Sequence, residues 1–237
     1  MVNSKTGAVL TPQGLRTQYH HIDLTHELHP DIPVWPGHPR MCHDLCESPE
    51  TGGVSWNHAL SMSEHTGTHI DAPLHFVAGG SSVADIPVDQ LMVRLACLQM
   101  PERGPHSPVL PAEIEDWEKH HGRLQKRDAV MFYFGWDRFF RQDAEKFLSS
   151  WPGISGDAAA LLVARGVALV GCDCLSIDPS TSSTYPAHRI LLGNGVLIGE
   201  NFNNLGLLPP VSTLVGLPLP IRGGTGAPVR AVALVPK

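Results

Sequence analysis

The segment "EHTGTHIDAPLHF", Glu64 to Phe76, sets three histidines and one aspartate close together and interrupts them with Gly67 and Pro73. A helix would bring His65 and His69 to one face at i and i+4, the spacing used by metal-binding helices. Gly67 and Pro73 oppose that reading, since the first frees the backbone and the second removes an amide donor. In an extended chain, side chains alternate sides, so His65, His69, Asp71 and, at its end, His75 project together. The even positions Thr66, Thr68, Ile70 and Ala72 are small or β-branched, as a face packed on a neighbouring layer requires. Gly67 leaves room for an ion or substrate to approach the backbone. Two imidazoles and a carboxylate form a site for a borderline-soft divalent cation with a position open for water. The stretch therefore predicts a strand carrying His65, His69 and Asp71 as metal ligands.

Further strands are predicted at "YHHIDLT", "SWNHALSMSEH", "RLACLQM", "DAVMFYFGW", "VALVGCDC" and "PVRAVALV", each rich in β-branched, aromatic or apolar residues. Helices are predicted at "PAEIEDWEKHH", "RQDAEKFLSSW" and "GDAAALLVARG". This alternation indicates an α/β fold with a mixed sheet. A chain of 237 residues suits a single domain, and no boundary or repeat interrupts it.

Composition narrows the function. The net charge of -6 argues against a nucleic-acid partner, whose phosphates need Lys and Arg. The apolar runs fall far short of the roughly 20 residues that span a bilayer. The N-terminus has no secretory pattern, which leads to a cytoplasmic expectation. Five cysteines, without paired C-x-x-C spacing, read as free and mostly buried thiols. "HELHP" at His26 fails as H-E-x-x-H because Pro30 occupies the second ligand position, and "GISGD" around Ser155 is no nucleophile elbow. No phosphate loop, dinucleotide fingerprint or zinc-deaminase pattern is present.

The run His65 to His75, H-T-G-T-H-I-D-A-P-L-H, resembles the H-x-G-T-H-x-D-x-P-x-H signature of the cyclase family of metal-dependent hydrolases, which includes kynurenine formamidase and isatin hydrolase. "GCDCLSIDPSTSSTYPAHRILLGNGVLIGENFNNL" is similar to a second family segment, in which G-x-D and S-x-D-P precede a histidine and a glutamate, here His188 and Glu200. "DIPVWPGHP", Asp31 to Pro39, is similar to an N-terminal family stretch that supplies an aromatic wall, here Trp35. The resemblance implies a single domain of swivelling β/β/α type over residues 20–237, behind an N-terminal extension of residues 1–19, and a homodimer. It also implies one or two divalent ions per chain, zinc or alternatively manganese. His65, His69 and Asp71 would hold the first ion. Asp71 would bridge to a second held by His188 and Glu200, leaving His75 as the acid/base. Trp35 and Phe76 are candidate walls for a small aromatic amide. The implied reaction is hydrolysis of a non-peptide C–N bond, in an aryl formamide such as N-formylkynurenine or a cyclic amide of the isatin type. A metal-binding protein without catalysis is the alternative. His38 replaces the family's usual aspartate and Cys174 a frequent threonine. Cys172, Asp173 and Asp178 read as supporting structure. An unperturbed histidine pKa of about 6.5 would suit His75 to proton exchange.

Overall fold

The computed structural model describes residues 11–101 and 103–237. The first ten residues of the expected N-terminal extension lie outside it. Helix α1, Pro12–Gln18, is capped by Thr11, whose hydroxyl accepts the Gly14 amide, and it runs into strand β1, Tyr19–Asp23. Among the described residues, strands β2, Cys42–Glu47, and β3, Asn57–Ser61, pair only with each other and form a separate two-stranded arm. The remaining elements are β4 (His69–Asp71), β5 (Met92–Gln99), α2 (Pro111–His121), β6 (Ala129–Tyr133), α3 (Asp137–Gln142) and α4 (Ala144–Phe147). They continue with α5 (Gly156–Arg165), β7 (Leu169–Cys172), α6 (Pro186–Gly193), β8 (Leu197–Glu200), β9 (Val211–Pro218) and β10 (Gly226–Pro236).

Eight strands make one mixed sheet in the order β1-β10-β4-β8-β7-β6-β5-β9. The central four, β5 to β8, are parallel, and β9 pairs with both β5 and β10, so the sheet closes into a barrel-like wall. The parallel strands read as unbroken apolar runs because both their faces are buried. On one side Leu95, Met131, Leu169 and Leu197 join Phe202 and Leu214 in a core enclosed by the strands. On the other side Leu98, Phe132, Val170 and Ile198 meet Ile114 and Trp117 of α2, Leu162 of α5 and Leu191 of α6. Each fully buried side chain of this kind contributes about 2 kcal/mol.

The expected strand over Glu64–Phe76 shortens to three residues, His69–Asp71. Gly67 has φ +63, a left-handed conformation that ends the extended run, and a Cβ there would lie 2.6 Å from Leu28. Pro73 starts a short 3-10 turn, Pro73–His75, which carries His75 out of the strand. The expected helix from Arg141 to Trp151 is instead two short helices. The break is at Asp143, whose side chain accepts the Lys146 amide and caps α4. Cys97, Cys172 and Cys174 are buried as expected, whereas Cys42 and Cys46 are exposed on the arm.

Candidate metal centre

The site lies where the parallel strands end, the edge at which open α/β sheets carry their ligands. Register does the first part of the assembly. β4 pairs antiparallel with β8 so that His69 stands opposite Glu200 and Asp71 opposite Ile198. Helix α6 brings in His188, and the loop before it fixes that helix. Asp178 accepts the Ala187 and His188 amides at 2.9 and 3.0 Å and the His188 Nδ1–H at 2.7 Å. Asp178 thus fixes the His188 tautomer and leaves Nε2 to face the cluster.

His69 is held in the same way. Its Nδ1–H donates to the Gly67 carbonyl at 2.8 Å, which leaves Nε2 bare. Nε2 of His69 lies 3.3 Å from Asp71 Oδ1 and 3.5 Å from Glu200 Oε2. Nε2 of His188 lies 3.3 Å from Glu200 Oε1 and 3.6 Å from Asp71 Oδ2. The two histidines face different oxygens of each carboxylate, and each separation is close to the roughly 3.4 Å between two donors that lie about 2.1 Å from a common ion. His69 Nε2 and Asp71 Oδ2 are buried with no hydrogen-bond partner, a costly arrangement for polar atoms that nothing binds. The charge balance points the same way. Burial opposes protonation of His69 and His188, yet contacts with Asp71, Asp178 and Glu200 raise both above the usual imidazole value. Burial alone would raise the Asp71 pKa, but its histidine partners hold it well below the carboxylate range. The pocket favours positive charge, and the donor set fits a divalent ion.

His65 reaches the same Asp71 oxygen that His69 faces. Its Nδ1 lies 2.7 Å from Asp71 Oδ1 and its Nε2 lies 2.9 Å from the Thr225 hydroxyl, which itself donates to Glu64. His65, Asp71 and His75 offer donor atoms within 4.8 Å of one another, as do His69, Asp71 and Glu200. Asp71 is therefore common to two clusters, and its Oδ1 lies within reach of both His65 Nδ1, at 2.7 Å, and His69 Nε2, at 3.3 Å. Gly226 lies directly beneath His65, where a Cβ would come within 2.7 Å of the ring.

His75 faces the same cavity, its ring 4.1 Å from that of His65. Burial pushes its pKa down to about 4, against the pull of Asp71, so the ring is neutral near pH 7. The value near 6.5 expected for an unperturbed ring is thus corrected by desolvation. The cavity, about 210 Å³, has Trp35 and Phe76 in its wall, together with His38. Tyr185 completes the wall, with centroids 6.4 Å from Trp35 and 6.0 Å from Phe76. Sequence reasoning missed Tyr185 and Asn201. Tyr185 adopts φ +50 immediately before Pro186, and the only signal was the restriction that proline imposes on its predecessor. Asp173, read as support, accepts the Phe134 and Trp136 amides at 2.9 and 2.6 Å and so fixes the turn after β6.

Fold and site together define a metal-dependent hydrolase. The family described as "Putative cyclase" matches residues 22–179, and the chain belongs to it. A kynurenine formamidase of Salinibacter ruber is 33% identical over 216 residues, which cover 89% of this chain and 95% of the relative. One from Maricaulis maris is 32% identical over 213 residues. Among solved structures, an isatin hydrolase bound to the product analogue thioisatinate superposes with a TM-score of 0.88 at 25% identity, covering 94% of this chain and 95% of that one. Isatin hydrolase A from Labrenzia aggregata, bound to benzyl benzoate, gives 0.84 at 28% identity, covering 96% and 97%.

Proposed function

We propose that the chain hydrolyses a non-peptide C–N amide bond, with an aryl formamide such as N-formylkynurenine as its substrate. The observation that carries this reading is the pair of donor clusters that meet at Asp71, one with His65 and His75 and the other with His69 and Glu200, in a cavity whose wall includes Trp35, Phe76 and Tyr185. The similarity to kynurenine formamidases over most of the chain supports the formamide. The superposition on isatin hydrolase favours a cyclic aryl amide as a second reading.

His65, His69 and Asp71 would hold a divalent ion, zinc or alternatively manganese, and His188 and Glu200 would complete the site for a second where two are bound. A divalent ion in this position polarises a carbonyl oxygen and lowers the pKa of water from 15.7 to about 7. The chain's residues do the rest. Trp35, Phe76 and Tyr185 clasp the aryl ring and exclude water from its faces. His75, neutral at working pH, accepts the proton of the attacking water at an imidazole nitrogen and returns it to the departing nitrogen. Asp178 and the Gly67 carbonyl keep His188 and His69 in the tautomers that ligation needs.

The protein is proposed to act in the cytoplasm as a homodimer. The arm supports association, because Leu45, Trp56 and Leu60 are exposed on it and an isolated hairpin is marginally stable in water.

The test is turnover of N-formylkynurenine against isatin, with bound metal counted in the same preparation. Formate release that chelation abolishes, together with loss of activity in His75→Ala at unchanged metal content, supports the reading. Full activity after metal removal overturns it.

A further inference from the structure

Asn201 follows Glu200 directly and lines the cavity. Its backbone sits at φ +57, a left-handed conformation that is unfavourable for a residue with a side chain and persists where surrounding contacts enforce it. Those contacts are all in place. The Asn201 amide donates to the Cys174 carbonyl at 2.9 Å, and its carbonyl accepts the Thr68 hydroxyl at 2.6 Å. Its Nδ2 donates to the Gly67 carbonyl at 3.0 Å, the same oxygen that fixes His69. That bond identifies the remaining atom as the oxygen, since a carbonyl accepts from Nδ2 and not from Oδ1.

Among the described residues Oδ1 has no partner, although Asn201 is only 1% exposed. It shares this condition with His69 Nε2 and Asp71 Oδ2, atoms of the metal-binding set. A buried acceptor lacking a donor costs free energy, and evolution removes such groups unless something supplies the donor. Ser176 and Tyr185 line the same cavity, yet neither hydroxyl bonds Asn201 Oδ1, which leaves that acceptor for a molecule held in the cavity.

We propose that Asn201 Oδ1 accepts the N–H of the scissile bond, which makes this site selective for secondary amides over esters, lactones and N-alkylated amides. The inference rests on the amide-hydrolase reading above and specifies its substrate class. During the reaction a C–O bond forms from water to the carbonyl carbon and the C–N bond breaks. His75 takes the water proton and gives it to the nitrogen, so formate and a primary arylamine leave. The original N–H stays on Asn201 throughout, which turns the nitrogen's developing lone pair away from Asn201. An ester oxygen offers that acceptor only another lone pair, and an N-methyl group offers only bulk.

The experiment compares formanilide, N-methylformanilide and phenyl formate as substrates of the metal-loaded protein and of Asn201→Gly, because glycine takes φ +57 without strain. The native protein is expected to hydrolyse formanilide and to leave N-methylformanilide intact. In Asn201→Gly the amide-over-ester ratio of kcat/KM is expected to fall by about 10- to 100-fold, as for one lost hydrogen bond to a buried group. Calorimetric binding of acetanilide against N-methylacetanilide to the metal-free protein gives a second readout, with the native preference for acetanilide lost in the variant. Equal losses on amide and ester, or hydrolysis of N-methylformanilide at the formanilide rate, overturn the assignment to Asn201 while leaving the amide reading intact. Failure to hydrolyse formanilide at all overturns both. If Asn201→Gly does not fold, the response of the native protein to N-methylation decides.

Discussion

Two strand pairs in this protein make opposite use of their length. β4 and β8 pair over only three residues, His69–Asp71 against Ile198–Glu200, and every one of these residues is buried. β2 and β3 are longer, and their residues are almost all exposed. The short pair is stable because β10 and β7 flank it and because Asp178, Gly67 and Thr68 bond its polar residues or their neighbours. Among the described residues the long pair has no neighbouring strand, and its side chains are almost all exposed. Neighbours determine what a strand pair can carry, and the chemistry is placed on the pair that is held from all sides.

The sharpest way to break the short pair is at Asp71, the residue common to both donor clusters. Asp71→Ala is expected to abolish metal binding, measured by elemental analysis, and to lower kcat/KM by at least about a thousandfold, the scale of lost electrostatic stabilisation. Retention of stoichiometric metal would show that the two clusters do not share Asp71 as a ligand.

His26 tests the packing that leads into that pair. Its amide donates to Thr68 Oγ1 at 2.9 Å, and its ring stacks on Phe140 at 3.7 Å with both nitrogens unpartnered. Burial, followed by the nearby Arg141 charge, pushes its pKa down from 6.5 to about 3. The unfolded chain therefore binds a proton that the fold excludes. Stability is full above pH 6.5 and is lost as pH falls from there toward about 3, by roughly 3 to 5 kcal/mol across the window. Urea unfolding at several pH values measures this. In His26→Phe the part of the slope due to this residue is expected to vanish.

Asp178 sharpens the comparison from outside the ligand set. Asp178→Ala removes the acceptor of three donors on α6, and the expected loss is about 10- to 100-fold in metal affinity, measured by competition with a chelating dye. A loss of global stability with unchanged affinity would show that Asp178 serves the helix and not His188.

The same contrast explains what could be read in the sequence. The parallel core strands were legible because both faces are apolar, and the helices α2 and α5 because their formers and stops agree with their packing. His69 and Asp71 were legible as neighbours on one strand face. Alternation also grouped His65 with them, and its ring reaches Asp71 Oδ1 at 2.7 Å although Gly67 breaks the extended run between them. It could not place His75, which Pro73 carries into a turn. Strand β8 and helix α6 gave little local signal, and the family resemblance brought out His188 and Glu200. Tyr185 and Asn201 were invisible because their roles depend on positive backbone angles set by distant partners. The arm was only half legible, since the periodicity marked β3 while β2, with its mixture of Cys, His, Asp and Glu, has no apolar alternation.

The smallest expected effect belongs to the arm. Leu60 is 59% exposed and Leu45 is 48% exposed, so neither adds much to the fold of a single copy. Leu60→Glu is expected to shift the unfolding free energy of a single copy by less than about 0.5 kcal/mol, as surface substitutions do. If the arm is the surface that joins two copies, the same change moves the sedimentation coefficient from dimer to monomer. The arm begins four residues after His38 and ends two before Ser63, whose hydroxyl lies 3.4 Å from the His38 ring nitrogen. Dissociation is therefore expected to loosen the cavity wall at His38 and to raise KM while leaving kcat and metal content in place. A monomer with unchanged KM would separate the two regions completely, leaving the arm a matter of assembly and the buried pair a matter of chemistry.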